Sequence, residues 1–341
     1  MSRRYAIIDV GSNSIRMVIF EVEGDGRDPA DRRIVGNKKS MAGLAGYIED
    51  GALSQKGIDK AIEELRKQLE NALNFGVSPE DIHVFATAGL RNISNSESAC
   101  EQINAATGVE IDLLSGEDEA RLGMLGCGAA ITGDKGIVID IGGGSTEITA
   151  WGPGSEVPAS VSLPFGSLYL YLHYVSDILP TRGEMSRIVD YVQSFLDGLD
   201  IFPDAPYSDA VGIGGSVRSS VKLVRSMVNP DVIDTIALQE LEEMLELTSL
   251  HYQKTLHGIL RVCPDRVHTV LPGLTVLWTI MKHTGLEQVK VSKSGLREGY
   301  LIGRVLDLPD RLSKPERQNT GDTAIAAGAE DAASAADPRR A

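Results

Sequence analysis

The sequence is poor in the features that mark several large classes of protein. Its three cysteines, Cys100, Cys127 and Cys263, lie far apart and form no CxxC pair. Scattered cysteines argue against a disulfide framework and are typical of buried thiols in a reducing compartment. No apolar run approaches the length of a membrane span, and residues 2–4 lead into a predicted strand without a signal-peptide pattern. We therefore expect a cytoplasmic protein with no membrane partner.

Basic side chains are also scarce: 33 Lys and Arg face 48 Asp and Glu, which gives a formal net charge of −15 at pH 7. This balance argues against non-specific binding of nucleic acid or of anionic membranes. Any site for a polyanion must therefore be locally basic or must hold a metal ion. The 341 residues, 42% of them hydrophobic, are enough for two domains of ordinary size with a core in each.

The most informative stretch runs from Gly136 to Thr149. A β-branched strand ends at Asp140, three glycines follow, and a second strand begins after Ser145 and Thr146. Glycines let the backbone approach an anion closely, and the hydroxyl groups add donors. Asp140 is placed to hold Mg²⁺ directly or through water. This stretch predicts a phosphate-binding hairpin built from Gly142, Gly143, Gly144, Ser145 and Thr146.

The same pattern occurs near the start of the chain, where an aliphatic strand ends at Asp9 and another strand follows. The residues between the two strands are Gly11, Ser12, Asn13 and Ser14. One such unit is usually an ordinary hairpin, but two copies, each opening half of the chain, predict a duplicated fold. Asp9 and Asp140 are then equivalent, and two facing loops can hold a phosphate chain and its metal ion from both sides.

Between these loops, strands alternate with helices, which predicts an α/β layer fold. The first domain is predicted over residues 1–130 and the second over 131–308, with a disordered tail at 313–341. Helices are predicted from about Ser54 to Phe75, over Ile236–Leu250 and over Cys263–Val270. Gly214, Gly215 and Ser216 precede a helix whose N-terminus either binds an anion or makes a plain turn with Ser216 as its cap.

Seven motifs occur in an order that resembles the exopolyphosphatase / guanosine pentaphosphate phosphohydrolase (Ppx/GppA) family, in its short two-domain form. They are AIIDVGSNSIRMVI, FATAGLRN, LLSGEDEARLG, VIDIGGGSTEIT, GIGGS, RVHTVLPGLTVL and SGLREGYL. The resemblance covers about residues 5–305. It implies two duplicated ribonuclease-H-like domains of the actin/Hsp70/sugar-kinase superfamily, with an active site in the cleft between them. The family's Leu-Gly-Glu-Gly segment is absent, since residues 41–47 read MAGLAGY.

The resemblance also implies roles for individual side chains. Glu119 resembles the family's catalytic base, which orients or deprotonates the attacking water, and Arg91 resembles the arginine that reaches the phosphate chain. Asp140 and Glu147 become candidates for holding the metal or ordering water, with Asp9 near the metal. Without the motifs, Glu119 reads as one of three acidic residues that favour a helix N-terminus. Arg16 stays open between the site and a solvated strand face.

Three further stretches are open to both structural and functional interpretations. Arg218 and Lys222 are spaced to continue an anion track or to lie on a solvated helix face. The last helix, residues 295–308, is predicted to pack across the cleft. Arg297 then either forms a structural ion pair with Glu298, which we favour, or reaches a phosphate. The basic pair Lys38 and Lys39 near the cleft mouth is predicted to be ordinary surface.

These observations predict an exopolyphosphatase that uses Mg²⁺ or another divalent cation to remove the terminal phosphate from inorganic polyphosphate. Guanosine pentaphosphate is the second candidate substrate. A sugar or small-acid kinase of the same superfamily and a non-catalytic sensor of guanosine tetra- or pentaphosphate are the alternatives from other classes. The resemblance suggests a homodimer as an oligomeric state to test, although no feature of the sequence indicates a dimer surface.

Overall fold

The computed structural model describes residues 2–152, 158–202 and 207–308. The segment 313–341, for which the sequence predicts a disordered tail, lies outside this part of the chain. Within it, two β-sheets with flanking helices follow one another along the sequence.

The first half forms a five-stranded sheet with the order β3-β2-β1-β6-β7. Its elements in chain order are β1 (Ser2–Val10), β2 (Ser14–Glu23), β3 (Arg32–Met41), the short strands β4 (Ile48–Glu49) and β5 (Ala52–Leu53), α1 (Gln55–Asn74), β6 (Ile82–Ala86), α2 (Ala88–Arg91), α3 (Ser96–Thr107) and β7 (Ile111–Leu113). β1 is apolar on both faces because helices cover the sheet on each side.

The second half repeats this plan in a six-stranded sheet with the order β10-β9-β8-β11-β13-β12. It comprises α4 (Gly116–Cys127), β8 (Gly136–Ile141), β9 (Thr146–Trp151), β10 (Ala159–Leu163), α5 (Ser167–Tyr174), α6 (Arg182–Leu196), β11 (Asp209–Ile213), α7 (Gly214–Met227), β12 (Thr235–Ala237), α8 (Leu238–Leu250), α9 (Tyr252–Val262), α10 (Val270–Thr284), β13 (Gln288–Val291) and α11 (Leu296–Tyr300).

The strand directions confirm the duplication. The first three strands of each sheet form an antiparallel meander, and the next two pair in parallel beyond it. β12 is an extra antiparallel edge strand on the second sheet. The predicted α/β fold with two duplicated domains is therefore confirmed.

One of the predicted helices is confirmed with a later start, and another is wrong. The helix predicted over Ile236–Leu250 begins at Leu238, because Ile236 pairs with Val289 in the edge strand β12. Cys263–Val270 is mainly a 3₁₀ turn over Pro264–Arg266, while the helix α9, which the sequence did not predict, ends just before it. Pro264 has no N–H to continue a helical ladder, so the chain turns at this point.

Two helices join the halves and cross each other at very short distance. α4 leads from the first sheet to the second, and α11, continued by a π-helical turn over Leu301–Val305, leads back. A Cβ on Gly126 would lie 1.9 Å from the Gly295 carbonyl oxygen, and one on Gly299 would lie 1.7 Å from that of Leu122. In the ranges described, no helix is both long and apolar enough to cross a bilayer.

Candidate functional site in the cleft between the two sheets

The two predicted loops face each other across a cleft. We define the first glycine loop as residues 11–13, between β1 and β2, and the second as residues 142–145, between β8 and β9. A Cβ on Gly144 would lie 2.6 Å from Ser12 Oγ and 3.4 Å from Ala88 Cβ. The second loop thus approaches the first so closely that a side chain at Gly144 would displace the Ser12 hydroxyl.

The loops are held by equivalent hydrogen bonds. In the first, Gly11 N donates to Ser14 O at 3.1 Å; in the second, Gly142 N donates to Ser145 O at 3.0 Å. Each loop is also capped from the segment after the third strand of its meander: Gly43 N donates to Asn13 O, and Leu168 N to Gly143 O, both at 2.9 Å. The duplication therefore extends to individual hydrogen bonds.

These bonds leave the outward amides of both loops available. The backbone N–H groups of Ser12, Asn13, Gly143 and Gly144 have no acceptor among the described residues, and all four residues line the cleft. Convergent N–H groups form a concave site that favours an anion. Two hairpins that present amides in this way are suited to binding a phosphate group between them.

Each sheet also presents a cross-strand row of polar side chains beside its loop. In the first sheet Asp9 on β1 pairs in register with Arg16 on β2, which pairs with Lys39 on β3. In the second sheet Asp140 pairs with Glu147, which in turn pairs with Ser162. Register partners point to the same face of a sheet. Both rows begin with an aspartate. The second and third positions carry cations in the first sheet, and a carboxylate and a hydroxyl in the second sheet.

Glu119 enters the cleft from the first turn of α4. Ser115 caps this helix by accepting from Asp118 N at 3.0 Å, and the Glu119 carboxyl turns inward with 6% of the residue exposed. Asp118 instead pairs with Arg304 at 2.7 Å, and Glu117 is exposed. Of the three acidic residues in this turn, Glu119 is thus the one that lines the cleft.

Arg91 lies behind Glu119 and does not line the cleft. Its Nη1 donates to the Leu114 carbonyl oxygen at 2.8 Å and to the Glu119 carboxylate. The sequence predicted that Arg91 reaches the phosphate chain; in the structure its guanidinium orients Glu119. Burial raises the pKa of Glu119 to about 7, with the Arg91 charge opposing the rise and Asp140 and Asp9 adding to it.

The second sheet contributes two more buried carboxylates. Burial raises the pKa of Asp140 to about 6, although Arg218 and Arg297 oppose the rise. Burial, together with the charges of Glu119 and Asp140, raises the pKa of Glu147 well above its usual value, against hydrogen bonds from Ser145 and Ser162. This side of the cleft holds more negative charge than its protein neighbours neutralise.

Another part of the cleft lining is basic. Arg16, Arg218 and Arg266 line it, and none of them has a carboxylate within salt-bridge distance in the described part of the chain. Burial, then the neighbouring Arg297 charge, lowers the pKa of both Arg16 and Arg218 to about 10. Clustered guanidinium groups without anionic partners are suited to binding phosphate oxygens.

The helix N-terminus at Gly214 lies directly against Asp140. Gly214 has φ of +85°, and a Cβ there would lie 2.3 Å from Asp140 Oδ1, so glycine is needed for both conformation and space. Gly214 and Gly215 line the cleft. Ser216 does not: its buried hydroxyl donates to Ser167 Oγ at 3.0 Å.

Thr146 is also turned away from the cleft that the sequence assigned to it. It is fully buried, and its hydroxyl donates to the Phe165 carbonyl oxygen at 2.8 Å. Thr146 begins β9, so its side chain follows the strand alternation into the core. The remaining predicted phosphate-binding residues, Gly11, Ser12, Asn13, Ser14, Gly142, Gly143, Gly144 and Ser145, all line the cleft.

The predicted metal set is not assembled as three converging ligands. Asp9 pairs with Arg297 Nη1 at 2.6 Å, and no group of three His, Cys, Asp or Glu side chains in the described residues has the geometry of a metal site. Asp140 and Glu147 fit a Mg²⁺ ion better, because that ion commonly takes one or two carboxylates and completes its shell with water and substrate phosphates. Their raised pKa values show an excess of buried negative charge that a divalent cation would offset.

Three cleft residues were missed or given another role by the sequence reasoning. Lys39 was assigned to ordinary surface and Arg297 to structure, yet both line the cleft. Arg266, which begins the RVHTVLPGLTVL motif, was not singled out; a Cβ on Gly215 would lie 1.9 Å from its Nη2. Its position in that motif was the signal available. Lys222 is exposed and is not part of the cleft lining.

A family model described as the Ppx/GppA phosphatase family matches residues 28–308. The chain belongs to the Ppx/GppA phosphatase family. This match covers most of the chain and confirms the resemblance inferred from the motifs.

Curated relatives of this Ppx/GppA chain have two different names. Exopolyphosphatase 1 of Mycobacterium tuberculosis is 26% identical over 310 residues, which are 89% of this chain and 88% of that protein. A guanosine-5'-triphosphate,3'-diphosphate pyrophosphatase of Aliivibrio fischeri is 27% identical over 318 residues, which are 90% of this chain and 60% of that protein. Homologues of both kinds are phosphoanhydride hydrolases.

Solved structures show the same fold. A Ppx/GppA family member from Aquifex aeolicus superposes with a TM-score of 0.69 at 24% identity, covering 90% of this chain and 99% of that one. An exopolyphosphatase from Cytophaga hutchinsonii gives a TM-score of 0.73 at 18% identity, covering 89% and 98%. At these identities the likeness concerns the fold alone.

Proposed function

We propose that this chain is an exopolyphosphatase, which hydrolyses the terminal phosphoanhydride bond of inorganic polyphosphate. The observation that carries the proposal is the buried Glu119 carboxyl, with a pKa of about 7, beside two glycine loops and a cluster of arginines without carboxylate partners. A general base works best when its pKa lies near the operating pH. The arginines and amides supply the charge and donors that a chain of phosphates requires.

In the proposed reaction each group of residues has one task. The amides and hydroxyls of the two glycine loops bind the terminal phosphate oxygens, and Arg16, Arg218 and Arg266 bind oxygens further along the chain. Glu119, held by Arg91, accepts a proton from the attacking water as its oxygen bonds to the terminal phosphorus. The anhydride P–O bond breaks, and the leaving oxygen remains on the shortened chain. Mg²⁺ held by Asp140 and Glu147 would add charge neutralisation at the phosphoryl oxygens.

The cleft lining favours an inorganic chain over a nucleotide. None of the described residues that line it is aromatic; the apolar ones are few, such as Ile141 and Leu296. Bases are commonly held by stacking on aromatic side chains, and this cleft offers polar and charged groups instead. Guanosine pentaphosphate, suggested by the pyrophosphatase relatives, remains the second candidate substrate.

The deciding experiment measures phosphate release from long-chain polyphosphate with Mg²⁺, in parallel with turnover of guanosine pentaphosphate. We compare the wild type with Glu119→Gln, and use Glu117→Gln as the matched control because Glu117 is exposed on the same helical turn. Loss of a general base reduces kcat by about a hundredfold or more, so Glu119→Gln should lose at least that factor while Glu117→Gln keeps full activity.

Other outcomes point to the other candidates. If guanosine pentaphosphate is turned over in preference to polyphosphate, the nucleotide replaces polyphosphate as the proposed substrate. Tight binding of guanosine tetra- or pentaphosphate without turnover would identify a sensor. Consumption of ATP that depends on a sugar or small acid would identify a kinase. Full activity of Glu119→Gln would remove the proposed base.

A further inference from the structure

An ion pair joins the two domains at the mouth of the cleft. Lys39 Nζ on β3 lies 2.6 Å from Asp265 Oδ2, in the 3₁₀ turn that follows α9. The Lys39 side chain is 25% exposed and that of Asp265 is 50% exposed. Lys39 lines the cleft, and Arg266, next to Asp265, lines its other wall. A carboxylate is thus placed against the lysine beside the arginines that line this part of the cleft.

Lys39 is the outermost member of the cross-strand row that starts at Asp9. Asp9, Arg16 and Lys39 are register partners on β1, β2 and β3. Neighbouring strands lie about 4.8 Å apart, so Lys39 is about 10 Å from Asp9 along this row. β3 is the edge strand of its sheet. A phosphate chain held at the glycine loops and running along this row passes Arg16 first and reaches Lys39 only if it is long enough.

The Asp265 carboxylate occupies the position that a distal phosphate oxygen would take on Lys39. Oxygen-to-ammonium contacts of this length are the same for carboxylates and phosphates. An ion pair of this exposure contributes little to stability, so either partner can be exchanged at small cost. Burial and the positive charges of Arg266 and Arg16 lower the pKa of Lys39, whereas its contact with Asp265 raises it. Lys39 therefore sits in a positive environment that favours an anion.

We propose that Asp265 is a built-in competitor of the substrate: it occupies Lys39 in the free protein and is displaced by the distal phosphates of a long chain. The pair thereby sets the affinity for long chains and leaves that for short chains unchanged. This inference rests on the proposed exopolyphosphatase function. The competing explanation, which we call a clasp, is that the ion pair only holds the two domains together. The two explanations predict different directions for the change in KM when Asp265 or Lys39 is replaced.

The test uses the full chain and three variants: Asp265→Asn, Lys39→Met and the double variant. KM and kcat are measured for tripolyphosphate and for long-chain polyphosphate. As the matched control we choose Glu242→Gln, because Glu242 also pairs with an exposed lysine, Lys282, at 3.1 Å but lies outside the cleft lining. Equilibrium binding of long-chain polyphosphate without Mg²⁺ provides a second readout that needs no catalysis.

We expect opposite effects of the two single variants on long chains. Asp265→Asn should lower KM about threefold, the size of one exposed ion pair, with kcat unchanged. Lys39→Met should raise KM by about fivefold to tenfold, and adding Asp265→Asn to it should have no further effect. For tripolyphosphate, KM and kcat of Asp265→Asn should match those of the wild type. Glu242→Gln should match the wild type with both substrates.

A clasp predicts instead that both single variants shift KM in the same direction and for both substrates, which would overturn the proposal. The proposal would also be overturned if Asp265→Asn lowered KM by the same factor with and without Lys39. Such a result would reflect general repulsion between the Asp265 carboxylate and the anionic substrate. The proposed function fails on a separate result, namely that neither the wild type nor any variant hydrolyses polyphosphate. In that case, tighter binding of long-chain polyphosphate by Asp265→Asn would still support the role of Asp265 as a competitor. Absence of both binding and hydrolysis in every variant would overturn both proposals, and absence of binding alone would overturn the competitor.

Discussion

At the scale of single residues, the cleft is organised by an imbalance of buried charge. Glu119, Asp140 and Glu147 are buried or nearly so, and the pKa of each is raised because burial outweighs the attraction of nearby arginines. Burial also lowers the pKa of Arg16 and Arg218, which line the same cleft. Asp9 is paired with Arg297 and Glu119 with Arg91, whereas Asp140, Glu147, Arg16 and Arg218 form no salt bridge with any described residue. These four unpaired groups are thus left to interact with what enters the cleft.

The Glu119–Arg91 pair leads to a prediction about pH. Activity of the wild type should rise with pH through about 7 as Glu119 loses its proton. In Arg91→Met the opposing positive charge is gone, so the pKa of Glu119 rises further and the profile shifts to higher pH, while Arg91→Lys restores part of it. The measurement is kcat/KM against pH for the three proteins. A uniform loss of activity at all pH values, with no shift, would contradict this positioning role.

The same carboxylates make stability depend on pH and on divalent cations. Glu119 and Asp140 have pKa values of about 7 and about 6 in the folded state, against 4.5 and 3.8 as model values. Between about pH 4 and pH 7 the folded state therefore retains protons that the unfolded chain has lost, so these groups make stability fall as pH rises through this window. If Asp140 and Glu147 hold Mg²⁺, as we propose, the ion binds their ionised form and should restore stability above about pH 7.

We therefore predict that Mg²⁺ raises the Tm of the wild type more at pH 8 than at pH 5. Asp140→Asn removes one proposed ligand and should abolish most of this difference, whereas Glu117→Gln should retain it. Thermal denaturation with and without Mg²⁺ at the two pH values checks this without any activity assay. An equal shift at both pH values, or an undiminished one in Asp140→Asn, would count against the assignment of the site.

The residues that the sequence located are those whose role depends on local pattern. The glycine loops and Glu119 could be placed because turn chemistry and motif spacing are written in consecutive residues. Lys39 and Arg266 could not, since they lie 227 positions apart and only the folding of one domain against the other brings both to the cleft. Thr146 was misplaced because strand alternation turns it into the core.

At the scale of elements, the site depends on the crossing of α4 with α11. α4 carries Glu119, and α11 carries Arg297, which pairs with Asp9. The two helices approach each other at Gly126 and Gly299 to distances that exclude any side chain. This crossing fixes Glu119 on one helix relative to the Arg297–Asp9 ion pair on the other. The sequence indicated that the last helix packs across the cleft, but it did not reveal the glycine contact, because Gly126 and Gly299 are 173 positions apart.

The crossing can be tested with two glycines of the same region. Alanine in place of a helical glycine normally stabilises by about 0.5–1 kcal/mol. At Gly126 a Cβ would lie 1.9 Å from a backbone oxygen, so overpacking, at about 1–3 kcal/mol, should win and Gly126→Ala should lower Tm. At Gly128 no atom lies within 4 Å and the backbone is right-handed helical, so Gly128→Ala should be neutral or stabilising. A Gly126→Ala protein as stable as Gly128→Ala would contradict the close crossing.

At the scale of the whole molecule, the basic cleft is set in a protein of net charge −15. The net negative charge of the whole protein repels a polyanion that approaches from solution. The arginines that line the cleft attract the polyanion once it is close to them. These two effects have different ranges. Salt screens charges over about 30 Å at 0.01 M but over about 10 Å at 0.1 M, so moderate salt weakens distant repulsion before it weakens direct contacts with phosphate.

This difference in range predicts an unusual salt dependence. For long-chain polyphosphate, kcat/KM should rise as salt increases from about 0.01 M to about 0.1 M, because the repulsion is screened first, and should fall as salt approaches 1 M, where contacts in the cleft are screened as well. Tripolyphosphate carries less charge and should show a shallower maximum. The measurement is kcat/KM across this range at constant free Mg²⁺. A steady fall from the lowest salt would mean that the local basic field of the cleft dominates at every distance, as it does for basic proteins that bind polyanions.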